Sequence, residues 1–127
     1  ADLAALGASD WRETHAPLPE TAHYAAHLRA IADDDVRYLA HHYTRYLGDL
    51  SGGQAIARLV ARHYGATPDQ LAFYRFDLAG DGVVRYKRGY RDAMNALALS
   101  PVEVDVLIAE VRESFRLNSA IFEALAR

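Results

Sequence analysis

The sequence predicts an all-α protein of multiple helices. Apolar residues recur at helical spacing along most of the chain, and prolines, glycines and aspartates interrupt these stretches at short intervals. No pair of alternating apolar runs flanks a tight turn, as a β-hairpin would require. The length of 127 residues suits one domain, and we expect residues 1–127 to form it.

The first clear helix is predicted over residues 20–31. Two prolines in the segment 16–20 indicate a turn that leads into it. Three apolar residues then recur at helical spacing: Tyr24, Leu28 and Ile31. The acidic run 33–35 follows, and it offers an N-cap and favourable charge to the next helix.

The longest predicted helix covers residues 36–64, and Gly65 is well suited to end it. Its middle contains Gly48, Gly52 and Gly53, although an interior glycine costs about 1 kcal/mol relative to alanine. Gly48 and Gly52 share one face and make a kink easier. Two interpretations stay open, a close helix crossing and a bent helix whose main chain lies over a flat ligand.

The C-terminal half predicts two further helices. A short turn or helix over 67–73 and a loop signal at 80–82 precede a helix over 83–97. Ser100 and Pro101 have the residue types of an N-cap and a first helical position. The last helix carries one periodic stripe, which consists of Val104, Ile108, Val111, Phe115, Asn118, Phe122 and Leu125. A single amide in such a stripe must find hydrogen bonds when buried.

Composition excludes several function classes. The net charge of -3 gives no general attraction to nucleic acid or an anionic membrane, and no run of about 20 apolar residues offers a membrane span. The absence of cysteine excludes disulfides and cysteine nucleophiles and suits the cytoplasm, where we expect the protein. The segment 50–54, LSGGQ, matches a motif of transporter ATPases, but the only lysine, Lys87, lies in no phosphate-binding loop.

The longer string over residues 43–54, YTRYLGDLSGGQ, resembles the signature of haem oxygenases. The segments 86–95 and 115–122 resemble later parts of the same family in the same order, so the resemblance covers essentially the whole chain. It implies a kinked, glycine-rich distal helix over haem and oxidative cleavage of haem to biliverdin, carbon monoxide and ferrous iron. Haem would be both substrate and cofactor, with O₂ and an external electron donor, a ferredoxin or flavin reductase, as co-reactants.

The resemblance also implies site residues. Catalytic roles fall on Arg45, Asp49 and Asn118, with Asp49 ordering distal waters that supply protons. Haem contacts fall on Tyr43, Gly48, Ser51, Gly52, Gly53, Lys87, Tyr90, Arg91 and Phe115. On residues alone, Lys87 and Arg91 lie one helical turn apart, which suits two carboxylates of an anionic ligand or an ordinary solvated face. Asp49 could equally pair with Arg45 along the helix.

The family's proximal histidine lies upstream of every segment matched here, so the resemblance implies that the N-terminal helices of the fold are missing. A piece of a longer chain and a shortened, inactive relative are both open explanations. We assign no metal ligands: His23 and His27 could share an ion, but we expect both at the surface. Two alternative functions are a non-catalytic haem-binding or carrier module and a structural helical domain.

Overall fold

A computed structural model of the chain describes residues 2–76, 78 and 82–127. These residues contain no strand, so the all-α prediction is confirmed. A π-helix, Tyr43–Leu47, joins α4 to α5, and a 3₁₀-helix covers Ala72–Tyr74. Most of the predicted loop at 80–82 lies outside the described residues. In chain order the α-helices are α1 (Asp2–Ala5), α2 (Trp11–Thr14), α3 (Pro19–Ala30), α4 (Asp35–His42), α5 (Gly48–Tyr64), α6 (Gly82–Asn95) and α7 (Pro101–Leu125).

The predicted helix ends are confirmed where a local signal sets them. Asp34 caps α4, and its side chain accepts a hydrogen bond from the backbone N–H of Arg37 at 3.0 Å. Gly65 ends α5 in the left-handed conformation, with φ of 64°. Ser100 begins α7 in a capping box with Glu103, in which each side chain bonds the other residue's backbone N–H.

The stretch predicted as one helix over 36–64 contains an irregular turn that the sequence did not predict. This π-helical turn covers Tyr43–Leu47 and ends just before Gly48. The hydroxyl of Thr44 donates to the carbonyl of Ala40 at 2.7 Å within this region. Single π turns inside α-helices are frequent at functional sites. The wide turn therefore directly precedes the glycine-rich segment.

The described chain divides into two compact units. The first unit contains Ala1–His15 and Tyr46–Leu97, and the second contains Ala16–Arg45 and Ala98–Arg127. The prediction of a single domain stays a prediction. No helix among the described residues is both long and apolar enough to cross a membrane, and the cytoplasmic location is untested.

In the first unit, α5 packs on the 3₁₀-helix. Gln54 donates from Nε2 to the carbonyl of Tyr74 at 2.6 Å, and Leu50 is almost fully buried. The ring of Tyr46 lies edge-on to the rings of Phe76 and Tyr86, with centroids 5.9 and 5.8 Å away. These contacts fix one side of α5 and connect its start to α6.

In the second unit, α7 packs against α3 and α4 with an unexpected face. Its buried residues are Glu110, Ser114 and Leu117, two of which are polar. The predicted apolar stripe is largely exposed instead, as Phe115, Phe122 and Leu125 are 60%, 64% and 67% accessible. The described residues of the first and second units therefore leave most of this stripe uncovered. The periodicity correctly grouped these apolar residues on one face of α7, but it did not indicate whether another element packs against that face.

Candidate functional site

The face of α5 at Gly48 and Gly52 is open. Both glycines are exposed, and a Cβ placed on either would meet no atom of the described residues within 4 Å. Ser51 beside them is exposed as well. A close helix crossing would place backbone or side-chain atoms against these positions. Within the described ranges, therefore, no helix crossing covers these two glycines, and the ligand interpretation stays a prediction.

Gly53 has different surroundings from the other two glycines. It is buried, and a Cβ there would lie 3.0 Å from Cδ1 of Tyr74. The missing side chain thus lets α5 approach the 3₁₀-helix. This packing explains Gly53 without a ligand, and its predicted haem contact stays a prediction.

The predicted catalytic residues fall in both units. Arg45 and Asn118 meet in the second unit, where the guanidinium Nη1 of Arg45 donates to Oδ1 of Asn118 at 2.8 Å. Asn118, the one amide in the α7 stripe, thus accepts a hydrogen bond from a charged group. Asp49 is half-buried in the first turn of α5, in the first unit.

A basic face lies on α6, as the sequence predicted. Lys87 is half-buried and Arg91 exposed, and neither forms an ion pair with any residue in the described ranges. Tyr90 on the same helix lies 6.4 Å from the ring of Tyr86. The pKa of Tyr86 is raised, mainly because burial disfavours the charged phenolate and secondly because of a hydrogen bond with Tyr46. Two cations one turn apart therefore remain available to an anionic ligand.

The remaining predicted haem contacts are Tyr43 and Phe115. Tyr43 begins the π-helix and is half-buried. Phe115 lies in the exposed stripe of α7. Both belong to the second unit.

A buried polar cluster in the second unit was missed by sequence reasoning. Glu110 is 3% exposed, and its Oε1 lies 2.5 Å from Nε2 of His27 and 2.9 Å from Nε2 of His41. Arg37 donates from Nη1 to the other oxygen at 2.7 Å. Burial alone would raise the pKa of Glu110, but the hydrogen bonds from the histidines and Arg37 outweigh it and lower that pKa.

The expectation that His27 is a surface residue is therefore wrong, since it contacts buried Glu110. The cluster draws on α3, α4 and α7, so no short motif contains it. The one sequence signal was the polar pair Glu110 and Ser114, which lie one turn apart on the same face of α7.

Comparison with known proteins identifies the relatives of this chain. The family model described as "Heme oxygenase" matches residues 1–124. A protein named "Heme oxygenase" from Pyropia yezoensis is 39% identical over 127 residues, which cover 98% of this chain and 52% of that protein. "Heme oxygenase 1" from Gallus gallus is 37% identical over 130 residues, covering 99% of this chain and 43% of the relative.

Solved structures agree with the sequence matches. Heme oxygenase-2 from Synechocystis sp. PCC 6803, solved with heme and NO, has a TM-score of 0.89 and 30% identity, covering 96% of this chain and 52% of that one. Heme oxygenase-1 from the same cyanobacterium, solved with heme, has a TM-score of 0.88 and 31% identity, covering 98% and 56%. The chain thus spans about half the length of the relatives it matches. Because the family model matches nearly every residue, this chain belongs to the haem oxygenase family.

Proposed function

We propose that this chain supplies the distal wall of a haem oxygenase, which cleaves haem to biliverdin, carbon monoxide and ferrous iron. The observation that carries the proposal is the open glycine face, since a Cβ at Gly48 or Gly52 would meet nothing within 4 Å. A planar macrocycle needs such close access to main chain. Haem, when bound, would supply the iron centre at which O₂ is activated, with electrons from a ferredoxin or flavin reductase.

The residues of this chain suit both the flat, apolar porphyrin ring of haem and its two anionic propionates. Gly48, Ser51 and Gly52 are exposed on one helix and leave room for a flat surface. Lys87 and Arg91 would bind the two propionates, because they are cations one turn apart with no carboxylate partner in the described ranges. Gly53, Tyr43, Tyr90 and Phe115 would complete the contacts, as their family positions imply.

Asp49, Arg45 and Asn118 would order the water molecules that deliver protons, and they would not bind the iron. Asp49 would hold water molecules at the glycine face, since a carboxylate can accept several hydrogen bonds from water. Arg45 and Asn118, which already share a 2.8 Å hydrogen bond, would orient the outer end of this water network. A fixed water chain supplies protons where a side chain has no room.

We further propose that the iron ligand and the opposite wall come from the part of the fold that the relatives have beyond the matched half. None of the six histidines of this chain corresponds to the family's proximal ligand. The exposed stripe of α7, including Phe122 and Leu125, offers an apolar surface on which such a segment could pack.

The experiment compares two glycine-to-leucine variants by haem titration of the intact protein. Gly52→Leu should weaken haem binding at least about tenfold, because its side chain would occupy the space that a porphyrin needs, a loss of about 1.4 kcal/mol. Gly89→Leu is the matched control, since Gly89 is also an exposed helical glycine with open space around its Cβ. It lies two residues from both Lys87 and Arg91, on the opposite side of α6.

Equal haem affinity in the two variants would refute the glycine-face assignment. Wild-type protein that binds haem but forms no biliverdin with reductant and O₂ would favour the alternative of a haem carrier. Failure of the intact wild-type protein to bind haem at all would favour a structural domain.

A further inference from the structure

The buried cluster around Glu110 has the composition of a metal site that no family role explains. One nitrogen from each of His27 and His41 and one oxygen of Glu110 all lie within 4.8 Å of one another. Both Nε2 atoms approach the same carboxylate oxygen, at 2.5 and 2.9 Å. Three donor atoms from three helices thus converge on one point in the second unit.

The hydrogen bonds behind His41 suit a metal ligand. Its Nδ1 lies 3.0 Å from the hydroxyl of Tyr24, which lies 3.1 Å from the hydroxyl of Ser114. A hydroxyl group can donate or accept a hydrogen bond, so the Tyr24 hydroxyl can donate to Nδ1 of His41 or accept from it. His41 can therefore present Nε2 as a lone pair without losing its second hydrogen bond. Metal-bound histidines typically have such a partner on the other ring nitrogen.

The charge around Glu110 can also rearrange. Arg37 bonds the second oxygen of Glu110 at 2.7 Å, but its Nε also lies 3.2 Å from Oδ2 of Asp34. The Arg37 side chain is 42% exposed. It can therefore stay paired with Asp34 when a cation takes its place at Glu110, so that Arg37 competes with a metal rather than blocking it.

Access and spacing are compatible with an ion. The side chain of His27 is 23% exposed, and a cavity of about 180 Å³ has both Tyr24 and His41 in its lining. Ligand atoms around a tetrahedral Zn²⁺ at 2.0–2.1 Å lie roughly 3.3 Å apart. The His27 and His41 nitrogens need to withdraw from Glu110 by less than about 1 Å to reach that spacing. The two nitrogens lie within 4.8 Å of each other, so they need to approach by up to about 1.5 Å.

We propose that His27, His41 and Glu110 bind one divalent transition-metal ion of the Zn²⁺ and Fe²⁺ class. Two imidazoles and one carboxylate are typical ligands for both ions, with water at an open position. Binding requires the protons shared between Glu110 and the two Nε2 atoms to leave or to move to Nδ1, so metal affinity falls with falling pH. The site is independent of haem and is tested without it.

The test is calorimetric titration of metal-free, haem-free full-length protein with Zn²⁺, Co²⁺ and Mg²⁺, and anaerobically with Fe²⁺. We expect one Zn²⁺ or Co²⁺ per chain, visible Co²⁺ absorption of a nitrogen-containing site, and no Mg²⁺ binding, because Mg²⁺ prefers oxygen ligands. Equal binding of Mg²⁺ would overturn the proposal. Fe²⁺ should bind at the same site but more weakly than Zn²⁺, as the general order of divalent-metal affinities requires.

Three variants locate the ion. His27→Gln should lose at least about tenfold in Zn²⁺ affinity and keep its fold, because His27 is partly exposed, and Tyr24→Phe should lose about tenfold through the outer hydrogen bond. Arg37→Gln should bind Zn²⁺ several-fold more tightly, since a competing cation is gone. Unchanged or weaker binding in Arg37→Gln would contradict a site on Glu110.

His23→Gln separates this site from a surface pair. His23 is exposed and lies one turn before His27 on α3, where two histidines alone could hold an ion. The proposal requires unchanged Zn²⁺ affinity in His23→Gln. A loss there, with normal affinity in Glu110→Gln, would overturn it in favour of the surface pair.

Discussion

Two carboxylates on the two longest helices of this chain have opposite surroundings. Glu110 on α7 is 3% exposed and has three cationic or histidine partners within 2.9 Å. Asp49 on α5 is half-buried and lies next to Gly48, on a helix with an open glycine face. The difference separates two positions for a carboxylate: the enclosed one joins three helices, whereas the other lies in the first turn of α5, directly beside the exposed Gly48.

Removing the enclosed carboxylate should have the largest effect on stability. We expect Glu110→Ala to lower the free energy of unfolding by about 3 kcal/mol, the lower end for breaking a buried ion pair, because Arg37 is partly exposed. Urea unfolding followed by circular dichroism measures this loss. Glu113→Ala is the control on the same helix, since Glu113 pairs with exposed Arg116 at 2.6 Å and should contribute little. Similar losses in both variants would refute the special role of the enclosed group.

The same carboxylate predicts how stability depends on pH. The folded-state pKa of Glu110 is lowered, so the unfolded chain binds its proton first and stability falls as pH falls. This contribution is fully present above the unfolded value, about 4.3, and is lost as pH falls through the lower folded pKa. His27, Arg37 and His41 contact the group. Subtracting the stability profile of Glu110→Gln from that of wild type should isolate an acid limb below about pH 4.3.

Removing the Asp49 carboxylate should affect catalysis more than folding. We expect Asp49→Ala to keep haem binding and thermal stability but to lower the biliverdin yield about 100-fold, the lower end for loss of positioned proton transfer. Product spectra under O₂ and reductant measure this yield. Asp105→Ala, which changes an exposed aspartate on α7, should leave the yield unchanged. A normal yield from Asp49→Ala would remove the proton-relay role and weaken the contrast with Glu110.

Features that depend on neighbouring residues in the chain could be predicted from the sequence. Helix ends at Asp34, Gly65 and Ser100 depend on neighbours a few residues away, and all three are confirmed. The glycine face was predictable for a related reason, because three interior glycines in one helix are costly wherever they occur. The π-helical turn before Gly48 was not predictable, since the apolar spacing of residues 43–47 is also compatible with a regular α-helix.

The enclosed cluster required contacts between distant segments. Glu110 lies 83 residues from His27 and 69 from His41 in the chain, so no local pattern relates them. The periodic stripe of α7 does not identify the packed face either, although an apolar face usually lies against a core. Here the face containing Glu110 packs within the unit, and Phe122 and Leu125 are exposed. Periodicity identifies residues that share a face, and only the packing decides which face is buried.

The smallest predicted effect distinguishes open from packed positions within α5 itself. Gly52→Ala should raise the free energy of unfolding by about 0.5–1 kcal/mol, because alanine favours a helix and the new methyl meets open space. Gly53→Ala has the same helix preference, but its methyl would lie 3.0 Å from the ring of Tyr74. Tyr74 is restrained, since its carbonyl also accepts a 2.6 Å hydrogen bond from Gln54. We therefore expect Gly53→Ala to be less stable than Gly52→Ala by at least about 1 kcal/mol in urea unfolding. An equal gain in both variants would mean that Tyr74 yields freely, and Gly53 would then belong with Gly48 and Gly52 rather than with the packed side of α5.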